Sequence, residues 1–138
     1  MKIAVVYRSG TGNTEAMANA VADGIKANGV EAVLLNSITP SELNDYDAVA
    51  FGCPAMGAEE LEDSEFEPMF AAVEGSLNGK KIALFGSYGW GDGEWMRTWA
   101  DRCKDAGAVF ACDFVIANEA PDDEAVDACK ALGAALTK

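Results

Sequence analysis

Ser9-Gly10-Thr11-Gly12-Asn13-Thr14-Glu15 is the stretch whose reading decides the fold. Before it stands an apolar, β-prone run, Ile3, Ala4, Val5, Val6 and Tyr7. After it Met17, Ala18, Val21, Ala22 and Ile25 recur on one helical face. Strand, glycine-rich loop and helix start together make an anion site. The first N–H groups of a helix lack internal partners, and the helix dipole is positive there. Gly10 and Gly12 let the backbone curl, while Ser9, Thr11 and Thr14 add hydroxyls. No Gly-Lys-Ser/Thr follows, so this is not a Walker loop, and Glu15 stands where a dinucleotide fingerprint needs its third glycine. Taken alone, the loop is also compatible with a turn that merely caps a helix.

The rest of the chain repeats the strand-and-helix alternation. Apolar runs recur at Ala32-Val33-Leu34-Leu35, Ala48-Val49-Ala50-Phe51, Ile82-Ala83-Leu84-Phe85 and across residues 109–117. Their near-continuous hydrophobicity suits parallel strands covered on both faces. Helical faces are formed by Phe66, Met69, Phe70, Val73 and Leu77, by Met96, Trp99, Ala100 and Cys103, and by Ala125, Cys129, Leu132 and Leu136. The link between the second and third strands has room for one helical turn near residues 41–45. Gly29 and Gly107 read as helix ends, Ser64 and Glu67 as a capping box, and Pro121-Asp122-Asp123 as a helix start. The expected fold is a three-layer α/β open sandwich, with a five-stranded parallel sheet in order 2-1-3-4-5 and one domain over residues 1–138.

Composition narrows the chemistry. The 138 residues carry 23 acids, 10 bases and no histidine, a net charge of −13. Such a chain repels nucleic acid and anionic membrane and attracts basic partners. It also lacks the commonest general base and metal ligand. No apolar run approaches the roughly 20 residues that span a bilayer, and Met1-Lys2-Ile3 leads straight into a strand, so the expected location is cytoplasmic. Cys53, Cys103, Cys112 and Cys129 lie far apart and read as buried thiols, Cys112 within a strand.

Ligands of open α/β sheets bind at the carboxyl ends of the strands, where strand order reverses. Three loops should meet there, over residues 8–14, 53–64 and 86–93. The second contains Pro54-Ala55-Met56-Gly57-Ala58-Glu59-Glu60, and the third Ser87-Tyr88-Gly89-Trp90-Gly91-Asp92-Gly93. An aromatic between glycines at a sheet edge suits a flat ligand stacked on its ring, and Met56 offers a polarizable surface for the other face.

In these three motifs the chain resembles the short-chain flavodoxins, in particular those of the clostridial type, and the likeness runs along its whole length. The resemblance implies FMN as cofactor. Ser9, Gly10, Thr11, Gly12, Asn13 and Thr14 would wrap its phosphate. Trp90 would cover the outer face of the ring and Met56 the inner, with Glu59 accepting from flavin N3–H. Gly89 and Gly91 would meet the pyrimidine end, with Tyr88 in the same loop. Pro54, Ala55, Ser87 and Asn118 would lie along the ribityl chain or ring edge. The family's peptide switch falls on Gly57 and Ala58 and favours a neutral semiquinone. Glu59, Glu60, Glu62, Asp63, Glu65 and Glu67 would disfavour the anionic hydroquinone and form a docking face. The implied protein is a low-potential, monomeric one-electron carrier without substrate turnover. Its partners would be redox enzymes with basic faces, such as ferredoxin- or flavodoxin-dependent oxidoreductases. It would bind no nucleic acid, membrane or metal.

Arg8 stands where relatives often carry an aromatic, and is expected to point outward rather than towards the phosphate. Trp95 and Trp99 are expected to pack the fourth helix. Two other functions share the layout. A receiver domain needs an Asp ending the third strand, where this chain has Cys53. An FMN-dependent quinone or NADPH reductase needs an open pocket above the ring, where Trp90 would lie.

Overall fold

In the computed structural model, which describes residues 1–9, 12–55, 65–89, 91 and 93–138, six parallel strand segments alternate with five helices. In chain order these are β1 (Lys2–Tyr7), α1 (Asn13–Ala27), β2 (Glu31–Leu35), α2 (Pro40–Leu43), β3 (Ala48–Gly52), α3 (Phe66–Glu74), β4 (Lys81–Tyr88), α4 (Glu94–Asp105), β5 (Val109–Phe110), β6 (Val115–Asn118) and α5 (Asp123–Leu136). The sheet order is β2-β1-β3-β4-β5, with β6 also on β4, and every pairing is parallel. That is the expected sandwich, with its fifth position split in two.

The split is a correction to the continuous strand expected over residues 109–117. Val109 and Phe110 stand opposite Lys81 and Ile82, whereas Val115 stands opposite Phe85. Residues 111–114 therefore span a stretch where β4 has only Ala83 and Leu84. The surplus leaves the ladder as a bend, and Cys112 lies in that bend, half-buried, rather than in a strand. A second correction concerns β4 itself. Gly86, Ser87 and Tyr88, expected in a loop, extend the strand because Ile116, Ala117 and Asn118 supply partners for them.

Helix ends follow local chemistry. Gly29 and Gly107 take positive φ just past α1 and α4. Asp122 accepts the Ala125 N–H at the start of α5. The single turn of α2 is closed by a capping box between Thr39 and Glu42. Ser64, the other half of the expected cap for α3, lies outside the described residues. Glu65 is the N-cap there and makes no side-chain capping bond.

The two faces of the sheet are built differently. Under α3 and α4 lies an aromatic cluster in which Phe70 meets Phe51 and Trp99 edge-on, at 5.3 and 5.5 Å between centroids. Phe66 stacks on Phe70 at 6.3 Å. Trp95 and Trp99 are buried here, as their spacing on α4 implied. Under α1 and α5 the core is rich in small residues, among them Ala18, Ala20, Ala48, Ala50 and Ala83. The two helices come close because Gly24 faces the Lys130 carbonyl and Gly133 the Val21 carbonyl. Cys103 and Cys129 are buried, one in each layer, and burial pushes both thiols up to about 12. Among the described residues no helix is long and apolar enough to cross a membrane.

A methyl at Gly24 or Gly133 would overlap a backbone oxygen that cannot rotate away. Gly24→Ala and Gly133→Ala are each expected to cost about 2 kcal/mol or more in urea unfolding, because the two helices must separate to admit it. The thiols bear on pH. The unfolded chain ionises them near their ordinary value of 9.0, the folded chain not until about 12. In that window the folded state holds more protons, so their contribution to stability falls as pH rises from 9.0 towards 12. Cys103→Ser/Cys129→Ser should flatten that part of a stability–pH profile.

Candidate functional site

Because all pairings are parallel, β1, β3, β4 and β6 end at the same edge of the sheet. Tyr7 stands opposite Gly52, and Tyr88 opposite Asn118. Main-chain bonds continue past the strand ends. The Arg8 N–H donates to the Gly52 carbonyl at 3.0 Å, that of Cys53 to Phe85 at 3.2 Å, and that of Ala55 to Ser87 at 3.0 Å. The roots of all three expected loops are thereby fixed to one another before they diverge.

The first loop is organised by Ser9. Its Oγ accepts the Gly12 N–H at 3.0 Å and the Glu15 N–H at 3.2 Å. Gly12, the N-cap of α1, has φ 92° and ψ −8°, a conformation that suits glycine, with open space where a Cβ would stand. With its oxygen engaged by two amides, the Ser9 hydroxyl keeps its own proton to donate. Asn13 opens the helix. Thr14, only 1% exposed, turns inward, and its hydroxyl shares a 3.1 Å hydrogen bond with that of Ser87, itself 5% exposed. This buried pair joins the start of α1 to the end of β4.

Around it, Pro54 and Ala55 are half-buried after β3. Cys53 is fully buried, and its carbonyl accepts the Trp95 Nε1–H at 3.3 Å. Tyr88 leans on Trp95 with 5.5 Å between ring centroids. Gly89 and Gly91 are exposed, as is Asn118 at the end of β6. The described residues therefore bring Ser9, Gly12, Asn13, Thr14, Pro54, Ala55, Ser87, Tyr88, Gly89, Gly91 and Asn118 to one edge. Gly10, Thr11, Met56, Gly57, Ala58, Glu59 and Trp90 lie outside the described residues, as do Glu60, Glu62, Asp63 and Asp92.

Charge pairs of long range went unread in the sequence. Arg8 Nη1 donates to Glu65 Oε2 at 2.9 Å, with the guanidinium side chain 37% exposed. Arg102 on α4 grips α3 in four bonds, two to Glu67 at 2.7 and 2.8 Å and two to Glu74 at 2.8 and 3.0 Å. It also lies over the Phe70 ring at 5.0 Å. Hydrogen bonds to Glu67, then to Glu74, hold its pKa above the ordinary arginine value. Two of the six acids expected in a docking face, Glu65 and Glu67, are thus engaged within the molecule. Among the described residues no group of acids or cysteines is placed to hold a metal.

This is a doubly wound α/β domain whose strand order reverses between β1 and β3, and the edge at that reversal holds a helix start and the hydroxyls of Ser9, Thr14 and Ser87, groups that suit the phosphate end of a nucleotide. Comparison with known proteins is specific. The flavodoxin family model matches residues 5–133. A flavodoxin of Megasphaera elsdenii is 49% identical over 138 residues, covering 99% of this chain and 98% of the relative. One of Clostridium beijerinckii is 45% identical over 125 residues, 89% of this chain and 91% of that one. The solution structure of two-electron reduced Megasphaera elsdenii flavodoxin superposes with a TM-score of 0.86 at 48% identity, covering 97% of each chain. The chain belongs to the flavodoxin family. It is an FMN-binding electron carrier that serves redox partners rather than an enzyme turning over a substrate.

Removing the Arg102 side chain leaves two carboxylates facing each other on α3. Arg102→Met is expected to cost about 1–2 kcal/mol in denaturant unfolding, with a smaller loss in high salt, where the exposed part of the interaction is screened.

Proposed function

We propose that Ser9, Gly10, Thr11, Gly12, Asn13 and Thr14 hold the FMN phosphate, and that residues 54–59 and 87–91, with Asn118, take the ribityl chain and ring. The observation that most supports this is the position of the Ser9 oxygen. By collecting the Gly12 and Glu15 amides it shapes the turn at the helix start, and its own O–H is left to donate. In this reading Met56 and Trp90 close on the two faces of the ring, and Glu59 accepts from flavin N3–H. Gly89 and Gly91 offer backbone groups to the pyrimidine end, beside Tyr88. Pro54, Ala55, Ser87 and Asn118 line the ribityl side.

Bound FMN supplies reversible one-electron chemistry. The chain's part is to set its energies. The peptide between Gly57 and Ala58 would offer its carbonyl as a hydrogen-bond acceptor near flavin N5, and a glycine at 57 would admit the positive φ that a flip of this peptide can demand. Glu59, Glu60, Glu62 and Asp63 follow that peptide directly in sequence. Their like charge opposes added electron density at the ring, which makes the carrier strongly reducing. The same acids, in a chain of net charge −13, steer basic redox partners to the ring edge. Glu65 and Glu67 contribute less to such a face, since Arg8 and Arg102 offset them.

Two outcomes test this reading. Ser9→Ala removes the acceptor for two loop amides and should weaken FMN binding about tenfold in a fluorescence titration, while riboflavin, which has no phosphate, binds as to the parent chain. Equal loss for both flavins would remove Ser9 from the phosphate site. Glu60→Lys/Glu62→Lys should slow electron transfer to a basic redox partner about tenfold at low ionic strength, with the difference fading as salt is raised. A rate indifferent to both changes would rule out docking through this segment.

A further inference from the structure

We infer that Arg8 and Glu65 form a clasp that sets the separation of the phosphate-side and ring-side loops before the cofactor enters, making Arg8 a positioning residue. The inference rests on the assignment of residues 9–14 and 54–59 to FMN. Each end of the clasp is rooted in the fold. The Arg8 N–H is bonded to the Gly52 carbonyl of β3, and Ser9, which organises the first loop, is the next residue. Glu65 is the N-cap of α3 and directly follows residues 56–64, so it fixes the end of the second loop. The helix it opens is itself held to α4 through Glu67 and Arg102.

Glu65 makes no side-chain capping bond to α3; its carboxylate accepts from Arg8 instead, across 57 positions of sequence. A nucleotide that touches both loops needs them at one distance. An ion pair that holds this distance in the free chain lowers the ordering cost of binding. The arrangement also decides between two uses of a cation beside a phosphate site. As a counter-ion, Arg8 would serve the phosphate better with Glu65 neutralised; as half of a clasp, it needs Glu65, and loss of either residue weakens FMN alike.

The full-length, flavin-free chain is titrated with FMN and with riboflavin, following quenching of flavin fluorescence, as the parent and as Arg8→Gln, Glu65→Gln, the double variant and the charge exchange Arg8→Glu/Glu65→Arg. A partly exposed pair is expected to be worth about two- to fivefold in affinity. Each single change should weaken FMN by that factor, and riboflavin, which does not reach residues 9–14, much less. The double variant should be no worse than either single, and the exchange should regain most of the loss. Tighter FMN binding by Glu65→Gln, additive losses, or unchanged affinities would overturn the clasp. A parent chain that bound neither flavin would overturn the site assignment and the clasp with it, whereas unchanged variants on a flavin-binding parent overturn the clasp alone.

Discussion

Parallel pairing of β1 with β3 is the constraint from which the site follows. Those strands are neighbours in the sheet although β2 lies between them in sequence, and the helix that follows β1 covers one face while the helix that follows β3 covers the other. At their carboxyl ends the following loops diverge to opposite sides and leave a crevice between them. The main-chain bonds from Arg8 to Gly52, Cys53 to Phe85 and Ala55 to Ser87 carry the ladder to the rim of that crevice. The loops inherit a rigid base, and the buried hydroxyl pair of Thr14 and Ser87 links the start of α1 to the end of β4.

The helices that follow the loops are held by charge as well as by apolar packing. Arg102 holds α3 and α4 together beside the aromatic cluster, and Arg8 ties the beginning of α3 to the end of β1. In a chain with more than twice as many acids as bases, two cations are committed to the flanks of one helix. The acids they meet are partly withdrawn from the long-range field of the protein. Two cations against three acids, Glu65, Glu67 and Glu74, leave one negative charge there, beside the four carboxylates of residues 59–63 in sequence.

Much of this was readable beforehand, and the parts that were not share a cause. Strands announced themselves through runs such as Ala48-Val49-Ala50-Phe51, which suit only a sheet covered twice. The glycine-rich loop announced its place because a strand preceded it and an amphipathic helix followed. The break in the last strand was hidden: Ala111-Cys112-Asp113-Phe114 reads as extended chain, and its two surplus residues become visible only against the register of β4. Reading 86–88 as loop failed for the same reason, since strand length depends on what a partner offers. At the site, the hydroxyl of Ser9 was legible as a donor, but not its second task of collecting two amides. The sequence offers Thr14 as a further hydroxyl for the anion, whereas its bond to Ser87 joins residues 73 positions apart. Ion pairs such as Arg8 with Glu65 have no local signature at all. They arise where topology happens to bring opposite charges together.

The unequal construction of the two layers has an optical side. Trp95 and Trp99 both belong to the layer beneath α3 and α4, while the layer beneath α1 and α5 is packed with alanine, glycine and aliphatic chains around Phe85. Indole absorbance and emission from these two side chains therefore watch only half of the molecule. Fraying that began where α5 rests on α1 would dim the backbone circular dichroism while leaving their spectra nearly still, so with Trp90 replaced the order in which the two signals change says which layer lets go first.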